Sequence, residues 1–432
     1  MQAGDVPDDA LEAARHCVLD WLGCALAGSR EPLVDVLVAQ VVEPEGPGPC
    51  TLVGRPGATT ARTAALVNGA AGHALDFDDT HLLLSGHPTT PVLPAALAVA
   101  EELDATGEAL VVALAVGIEV ECRVGAVVNP EHYGAGWHAT GTLGTIGAAA
   151  AVAHLLKLEQ EAFATAVALA ATQASGLKAS FGTMAKPLHA GLAASAGVLA
   201  ARLAAGGFTA EPAVLEAPQG LARAAGGAVL DDARLSRLDR LADRWVVRDT
   251  LFKHHAACYL THASINAARS LAGEVAAADV DAVEVHVAPE SLDVCAISEP
   301  TTGLEGKFSL RATTAMALLG DDTTDAATYS DERVRSSELV ALRDRVTVVP
   351  EPGRSSTRSR VVVRTGGGEV FDAEDDTSRP ADDLVRQWEL LAAKATGLAR
   401  PVLGGAGAAA LVDAVARLTE APTVRTLAGL LR

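Results

Sequence analysis

The 432-residue chain is poor in aromatic and in positively charged side chains. Aromatic residues make up 3% of it, and 34 Lys and Arg stand against 54 Asp and Glu, for a net charge of −20. Such an acidic surface repels nucleic acid and anionic membranes, so the sequence predicts neither as a partner. An anionic substrate would need a local group of basic residues within this negative field.

The six cysteines form no CxxC pair. Scattered cysteines of this kind are expected to be buried apolar residues in a reducing compartment, and not a disulfide or zinc framework. Residues 1–5 carry neither a basic region nor an apolar signal core. The most apolar run, residues 143–156, is too short to span a bilayer. The sequence therefore predicts a cytoplasmic protein.

Small apolar residues dominate what is present. The hydrophobic fraction is 49% and the charged fraction 20%, as expected of a folded, core-rich chain long enough for two domains. Through residue 270 the apolar residues recur three and four positions apart, a pattern typical of helices. The predicted helices of this part are residues 10–27, 91–103 with Thr90 as N-cap, 107–124, 141–156, 159–174 and 187–205.

The pattern changes near residue 277. Residues 280–287 alternate as a half-buried strand does, 345–349 fit a second strand, and 359–364 and 369–372 flank a triple-glycine hairpin signal. Further helices are predicted at 309–319, 381–396 and 408–418. The fold class is therefore mainly α. A large all-helical domain (residues 1–272 plus 388–432) is formed by both chain ends, with an inserted smaller α+β lid domain at 273–387.

Four segments interrupt the apolar helical sequence with polar and charged residues: 73–91, 136–142, 178–189 and 253–262. Together they hold eight of the twelve histidines. Several polar residues of these segments also fit a purely structural role. Asp78 and Asp79 fit helix capping or solvent exposure, His73 and His189 fit core histidines, and the pattern at residues 254–255 favours a surface loop.

The common catalytic and cofactor motifs are missing. There is no HExxH, no acidic calcium loop, no GxSxG, and no glycine-rich phosphate loop between a strand and a helix. We therefore predict neither a metal nor an organic cofactor.

Proton transfer beside a bound anion fits the four segments better. Lys186 and the helix N-termini near Thr140 and Pro187 can hold a carboxylate. His87 and His138 can exchange protons near neutral pH. Asp76 can orient one imidazole, and Thr80 supplies a short hydrogen bond.

At these segments the sequence resembles the MmgE/PrpD family, in Asp76 to His81 with His87-Pro88, Gly136-Trp137-His138, Gly182 to His189, Thr261-His262 and Glu305 to Leu310. The resemblance implies a helical domain with an α+β lid, a homodimer, no cofactor, and a small polycarboxylate substrate. Family members are 2-methylcitrate dehydratases, cis-aconitate decarboxylases and iminodisuccinate epimerases. The catalytic positions implied are Asp76, Thr80, His87, His138 and Lys186. Expected substrate-binding residues are Lys178, Thr140, His189, His262, Lys307 and Arg311.

Three departures weaken the decarboxylase branch. A tyrosine of that branch is replaced by Ala312, Thr80 and His87 stand one residue further apart, and Cys258 replaces a histidine. Residues 174–188 look closest to the epimerase branch. We therefore favour a lyase or isomerase of the epimerase or dehydratase type, with a cis-aconitate-type decarboxylase as the alternative. A non-catalytic helical small-anion binding protein is the hypothesis from another class. The sequence leaves open whether water, carbon dioxide or only a proton departs, and which histidine is the acid.

Overall fold

The computed structural model describes residues 6–432, and the chain divides into two compact units. One unit is formed by the chain up to Phe252 together with Pro380–Arg432, and the other by Lys253–Arg379. The prediction of a mainly helical fold, with a small sheet in an inserted part of the chain, is confirmed. Residues 1–5, where the sequence shows no signal core, lie outside the described residues.

The first unit is built from small-residue helices that pack closely. α5 begins two residues before the predicted start, with Pro88 and not Thr90 at the N-cap. A two-stranded antiparallel pair, β1 (Cys50–Thr51) and β2 (Ala58–Thr59), was not predicted. The helices up to residue 239 are α1 (Asp8–Gly28), α2 (Pro32–Leu37), α3 (Glu43–Glu45), α4 (Ala61–His73), α5 (Thr89–Leu103), α6 (Gly107–Val128), α7 (Glu131–Gly134), α8 (Ala139–Leu155), α9 (Gln160–Ala171), α10 (Ala185–Ala205), α11 (Leu221–Ala224) and α12 (Asp232–Asp239).

Two glycines allow α4 and α10 to cross at backbone contact. A Cβ atom on Gly69 would lie 3.0 Å from the Cα of Gly191. A Cβ atom on Gly191 would lie 2.2 Å from the carbonyl oxygen of Leu66, a distance that no real side chain tolerates. This crossing fixes the end of α4, at His73, close to the start of α10, at Lys186.

The second unit carries a mixed four-stranded sheet. Its strands are β3 (Val280–Val287), β4 (Val346–Pro350), β5 (Arg358–Thr365) and β6 (Val370–Asp376), in the spatial order β4-β3-β5-β6. β3 runs parallel to β4 and antiparallel to β5, and β5 and β6 form the predicted hairpin. The helices of this unit are α13 (His262–Leu271), α14 (Gly303–Gly306), α15 (Leu310–Leu318), α16 (Asp331–Val334) and α17 (Ser337–Arg343).

The boundaries of this unit differ from the predicted 273–387. The unit begins at Lys253 because α13 packs against β5, β6 and α15, and it ends at Arg379. The helical spacing of apolar residues in α13 predicts a helix, and this helix was assigned to the helical domain. A helix can equally cover one face of a sheet, as α13 does here.

The chain returns to the first unit as α18 (Leu384–Ala416) and α19 (Arg425–Gly429). The two helices predicted here are present as two segments of α18, which meet at a kink at Gly404, whose φ of +70° and ψ of 173° are not helical. α18 packs on α1. By length and hydropathy alone, α10 and α18 could each cross a membrane. α10 is mostly buried and packs on α4, α8 and α9 as a core helix does. All six cysteines are buried and free, as predicted.

The Gly191→Ala substitution should test the α4–α10 crossing. Its methyl group meets the backbone of α4, so we expect the free energy of unfolding to fall by about 1–3 kcal/mol, the usual cost of overpacking. The matched control is Gly397→Ala on α18, where the added Cβ meets nothing within 4 Å. That variant should gain about 0.5–1 kcal/mol from helix propensity. Equal urea midpoints for the two variants would contradict the close crossing.

Candidate active site

Four parts of the first unit bring polar side chains into one buried cluster. α4 ends at His73, and the following loop carries Asp76, Asp78, Asp79 and His87. His138 stands at the N-cap of α8, and Lys186 is the second residue of α10. The segment before α8 pairs with the segment before α10, since the His138 N–H donates to the Gly176 carbonyl over 3.0 Å.

Asp78 lies at the centre of this cluster and is fully buried. One carboxylate oxygen lies 3.0 Å from Nδ1 of His73, and Oδ2 lies 3.2 Å from Nδ1 of His87. The two rings meet edge to face, with centroids 4.5 Å apart. Two imidazoles therefore share one carboxylate.

The ionisation of this trio follows from burial and charge. Burial alone would raise the pKa of Asp78, but the neighbouring His73 and His87 outweigh burial and hold that pKa well below its usual value. Burial lowers the pKa of His73 to about 4 against the opposing effect of Asp78. At neutral pH Asp78 is therefore the charged partner, and a neutral His73 can donate its Nδ1 proton to it.

A second carboxylate, Asp76, is bound to the ammonium group of Lys186. Nζ of Lys186 donates to Oδ1 of Asp76 over 2.6 Å, and the same oxygen lies 3.5 Å from Nε2 of His87. Both partners are buried. The backbone of Asp76 has φ +52°, in the left-handed region that non-glycine residues seldom occupy and that often marks functional sites. Asp76 was predicted to orient an imidazole. In the structure it binds the ammonium group of Lys186, and the His87 ring lies beside the same oxygen.

His138 forms one wall of the cluster. Its ring stacks on His73 with centroids 5.6 Å apart and meets the edge of Phe181 at 4.9 Å. Its Nδ1 lies 3.1 Å from Nδ1 of His189. Burial, followed by the charges of His73 and Lys186, lowers the pKa of His138 well below its usual value. His138 is therefore neutral at pH 7 and able to accept a proton.

A second layer supports the loop between α4 and α5. Asp79 accepts hydrogen bonds from the backbone N–H and hydroxyl of Thr89 at the start of α5, so the capping interpretation is right for Asp79. Burial raises the pKa of Asp79 to about 8. On the other side of the loop, Lys394 of α18 donates to Asp20 over 2.6 Å and to the Phe77 carbonyl over 2.7 Å. These contacts hold the backbone on which the site aspartates stand.

Thr80 and Thr140 act on the turn before His87. The hydroxyl of Thr80 donates to the Gly86 carbonyl over 3.1 Å, and that of Thr140 accepts from the His87 N–H over 3.0 Å. A Cβ atom on Gly86 would lie 2.9 Å from the backbone nitrogen of Thr140. Both threonines therefore place His87 through hydrogen bonds of the turn.

Lys178 is placed beside an aromatic ring. Its Nζ lies 3.8 Å from the ring centroid of Tyr133, and its backbone N–H donates to the Gly136 carbonyl over 2.9 Å. A cation over a ring face is attracted to it. Lys178 thus flanks the turn that leads to His138.

The other predicted binding residues belong to the second unit. Nε2 of the buried His262 lies 3.2 Å from the Ala257 carbonyl, and the buried Lys307 has Nζ 5.8 Å from the Tyr329 ring. The Nε–H of Arg311 donates to the Val346 carbonyl over 2.9 Å. Arg311 therefore ties α15 to β4 within its own unit.

His254 and His255 have different environments. His254 is exposed, as predicted, but His255 is buried and the surface prediction for it is wrong. Nε2 of His255 lies 2.7 Å from Oδ1 of Asn266, and its Nδ1 lies 2.8 Å from the hydroxyl of Thr323. Burial lowers the pKa of His255 to about 4, so it acts as a neutral cross-link inside this unit.

Sequence reasoning missed Asp78 as the centre of the cluster, and His73 as its partner. The available signal was the cluster of aspartates at positions 76, 78 and 79 directly after the histidine that ends α4, in a stretch otherwise rich in apolar residues. The size of the cavities in the structure does not point to this buried cluster. A cavity of about 1340 Å³ in the same unit, lined by parts of α6, α9 and residues 154–159, contains none of the cluster residues.

A metal ion is the natural rival for such a set of donors. One ligand atom from each of His73, Asp76, Asp78 and His87 lies within 4.8 Å of the others. Imidazole and carboxylate are zinc ligands, so the donor types fit. The ammonium group of Lys186 already contacts Asp76, and its charge opposes a divalent cation there. The metal-free site stays a prediction.

Histidines, carboxylates and one ammonium group, buried together in a helical unit, form an arrangement that can carry out acid–base chemistry. A model of the MmgE/PrpD N-terminal domain matches residues 1–229, and one of the MmgE/PrpD C-terminal domain matches residues 255–420. The chain belongs to the MmgE/PrpD family, as the motifs indicated.

Several curated proteins named as cis-aconitate decarboxylases, or as similar to them, resemble the chain. Cis-aconitate decarboxylase of Aspergillus terreus is 31% identical over 280 residues, 62% of this chain and 57% of that protein. The human cis-aconitate decarboxylase is 31% identical over 284 residues, 63% of this chain and 57% of its own. A cis-aconitate decarboxylase-like protein of Aspergillus oryzae is 33% identical over 217 residues, 48% and 45%. The chain spans about half the length of the curated relatives it matches.

Chelation tests the metal-free prediction. Exhaustive dialysis against a strong chelator should leave turnover unchanged, because Lys186 supplies the positive charge that a metal would otherwise bring. Metal analysis of the dialysed protein is the control for complete removal. Loss of turnover that a divalent ion restores would assign the four-residue group to a metal instead.

Proposed function

We propose that this protein is a cofactor-free lyase or isomerase that forms a carbanion next to a carboxylate of a small polycarboxylic acid. The observation that carries the proposal is the buried cluster in which His87 and His138 flank His73, next to the Asp76–Lys186 pair. Such chemistry needs a proton donor or acceptor at the reacting carbon and a cation for the charge that develops on the carboxylate.

Lys186 is the group that meets the anion. It is buried, at 7% exposure, in a chain whose net charge is −20. A substrate carboxylate that shares the ammonium group with Asp76 gains a charge-assisted hydrogen bond away from water, where it is strong. As charge builds on that carboxylate in the transition state, the same contact strengthens.

His87 and His138 exchange the proton. The two ring nitrogens of His87 face one carboxylate each, Nδ1 that of Asp78 and Nε2 that of Asp76, which holds the ring in place. His138 is held by stacking and by His189. Two fixed imidazoles give the site one group for each side of a reacting carbon.

Within this class we place decarboxylation of a cis-aconitate-like acid first, because the relatives described above bear that name. A specific observation favours dehydration or epimerisation as the second candidate. Ala312, which stands where the decarboxylase branch has tyrosine, is fully buried in α15 and brings no phenol.

A homodimer in the cytoplasm completes the proposal. The dimer rests on the family resemblance, and the location on the reducing environment that six free cysteines suit. Light scattering on the purified chain should give twice the mass of 44.0 kDa. A mass equal to that of one chain would contradict the proposed homodimer.

Proton NMR in deuterium oxide, with cis-aconitate, 2-methylcitrate and iminodisuccinate in parallel, tests the reaction. Loss of carbon dioxide with a deuterated product indicates decarboxylation, conversion of the methyl doublet of 2-methylcitrate into the singlet of a methyl group on a double bond indicates elimination, and α-exchange alone indicates epimerisation. No change with any polycarboxylate would favour a small-anion binding protein and overturn the enzyme.

Substitution of the two histidines tests their roles. His138→Gln and His87→Gln should each lower turnover by about two to four decades, the usual worth of a placed acid or base. The control is His254→Gln, an exposed position in the other unit, which should keep turnover near that of the unsubstituted protein. Near-normal turnover of His138→Gln together with loss in His254→Gln would sink the assignment.

Lys186→Met should raise KM as well as lower kcat, since it removes charge that binds both the ground state and the transition state. It also leaves Asp76 buried without its ammonium partner, which can destabilise the fold by about 3–5 kcal/mol. The variant Asp76→Asn/Lys186→Met removes both charges and serves as the folded comparison. A KM unchanged in both variants would separate Lys186 from substrate binding.

A further inference from the structure

We propose that His189 is the proton relay of His138, giving a proton to this buried imidazole and taking it back in each turnover; the inference rests on the proposed function. The two rings meet through their Nδ1 atoms, 3.1 Å apart, with centroids at 5.3 Å. His138 is 2% exposed, whereas His189 is only half-buried on the first turns of α10. The pair thus joins the interior of the site to its edge.

The surrounding backbone leaves room for this contact. Gly176 has φ +132°, and a Cβ atom there would lie 3.3 Å from Nδ1 of His189 and 3.5 Å from Cβ of His138. A Cβ atom on Gly141 would lie 3.1 Å from Cβ of His189. Two glycines from different segments therefore border the His138–His189 contact, and a side chain at either position would crowd it.

The reason for a relay is electrostatic. Burial lowers the pKa of His138 well below its usual value, because a charged ring is poorly solvated there and faces His73 and Lys186. A buried imidazole that gains a proton at Nε2 would have to hold that charge. Release of its Nδ1 proton to His189 at the same time keeps the His138 ring neutral.

The proton balance of decarboxylation gives the relay its direction. Loss of carbon dioxide breaks a C–C bond and leaves the electron pair on carbon. The N–H bond at Nε2 of His138 then breaks as a C–H bond forms, while the Nδ1 proton of a protonated His189 moves to Nδ1 of His138. One proton is consumed in each turnover. After the product leaves, solvent water protonates Nε2 of His138 while the Nδ1 proton of His138 moves back to Nδ1 of His189, so that both rings regain their starting protonation and the His138 ring stays neutral. The reverse transfers serve proton abstraction.

The decisive comparison is between His189→Gln and His189→Ala. Glutamine keeps a hydrogen-bond donor and acceptor beside His138 but cannot pass a proton on, so kcat should fall about 100-fold with KM within about twofold. Imidazole added to His189→Ala should restore turnover in a saturable manner. The matched control is His154→Gln, a partly buried histidine on the last turn of α8, which should change neither constant. Wild-type kcat in His189→Gln, or no rescue of a folded His189→Ala, would overturn the relay.

A measurement without substrate separates this inference from the proposed function. In ¹⁵N-histidine-labelled protein, the shared Nδ1–H of the pair should give a low-field proton signal that is lost in His189→Ala and kept in His154→Gln. If the unsubstituted protein turns over no polycarboxylate but shows this signal, the proposed function fails and the hydrogen-bonded pair stands. If turnover is normal and the signal is absent, the relay fails and the proposed function stands.

Discussion

The rest of the site depends on one buried carboxylate, that of Asp78. An ionised group without water must be matched by hydrogen-bond donors and by opposite charge: Nδ1 of His73 lies at hydrogen-bond distance from Asp78, and Nδ1 of His87 lies 3.2 Å from its Oδ2. Their positions are therefore set by the carboxylate and not by their own packing alone. His138 stacks on His73, so its position follows as well. The charge of Asp78 thus helps to fix the positions of three imidazole rings. Two residues earlier in the chain, Asp76 adds its ion pair with Lys186 to the same cluster.

The helical frame makes that order possible through small residues. Because Gly69 and Gly191 let α4 and α10 touch backbone to backbone, a histidine at the end of one helix and a lysine near the start of the other reach two carboxylates of the same loop, His73 that of Asp78 and Lys186 that of Asp76. Larger residues at the crossing would push the helices apart by the width of a side chain, which is more than a hydrogen bond can stretch. Packing and chemistry are therefore constrained at the same positions.

Much of this could be predicted from the sequence where local pattern decides. The alternation of residues 280–287 gave β3 with its observed limits, and glycine and proline beside His87, His138 and Lys186 pointed to side chains at helix starts. Long-range facts could not be read in this way. The role of Asp78 depends on a residue five positions earlier and on another nine positions later, which only the fold brings together. Likewise the two segments of α18 extend beyond the predicted limits at residues 396 and 408 until they meet at Gly404. The membership of α13 was decided by the sheet it covers, which its own period does not reveal.

The bond between Asp20 and Lys394 has a consequence for how the chain is made. These residues are 374 positions apart, and Lys394 also binds the Phe77 carbonyl in the loop of the site. A ribosome therefore releases α1, the loop and the whole inserted unit before the lysine that secures them exists. Until α18 is synthesised, the carboxylate of Asp20 lacks the ammonium group that pairs with it in the folded protein. The first unit also lacks the helix that packs on α1. The helical unit thus completes its fold only after the inserted unit has left the ribosome, and contacts of such separation are slow to form.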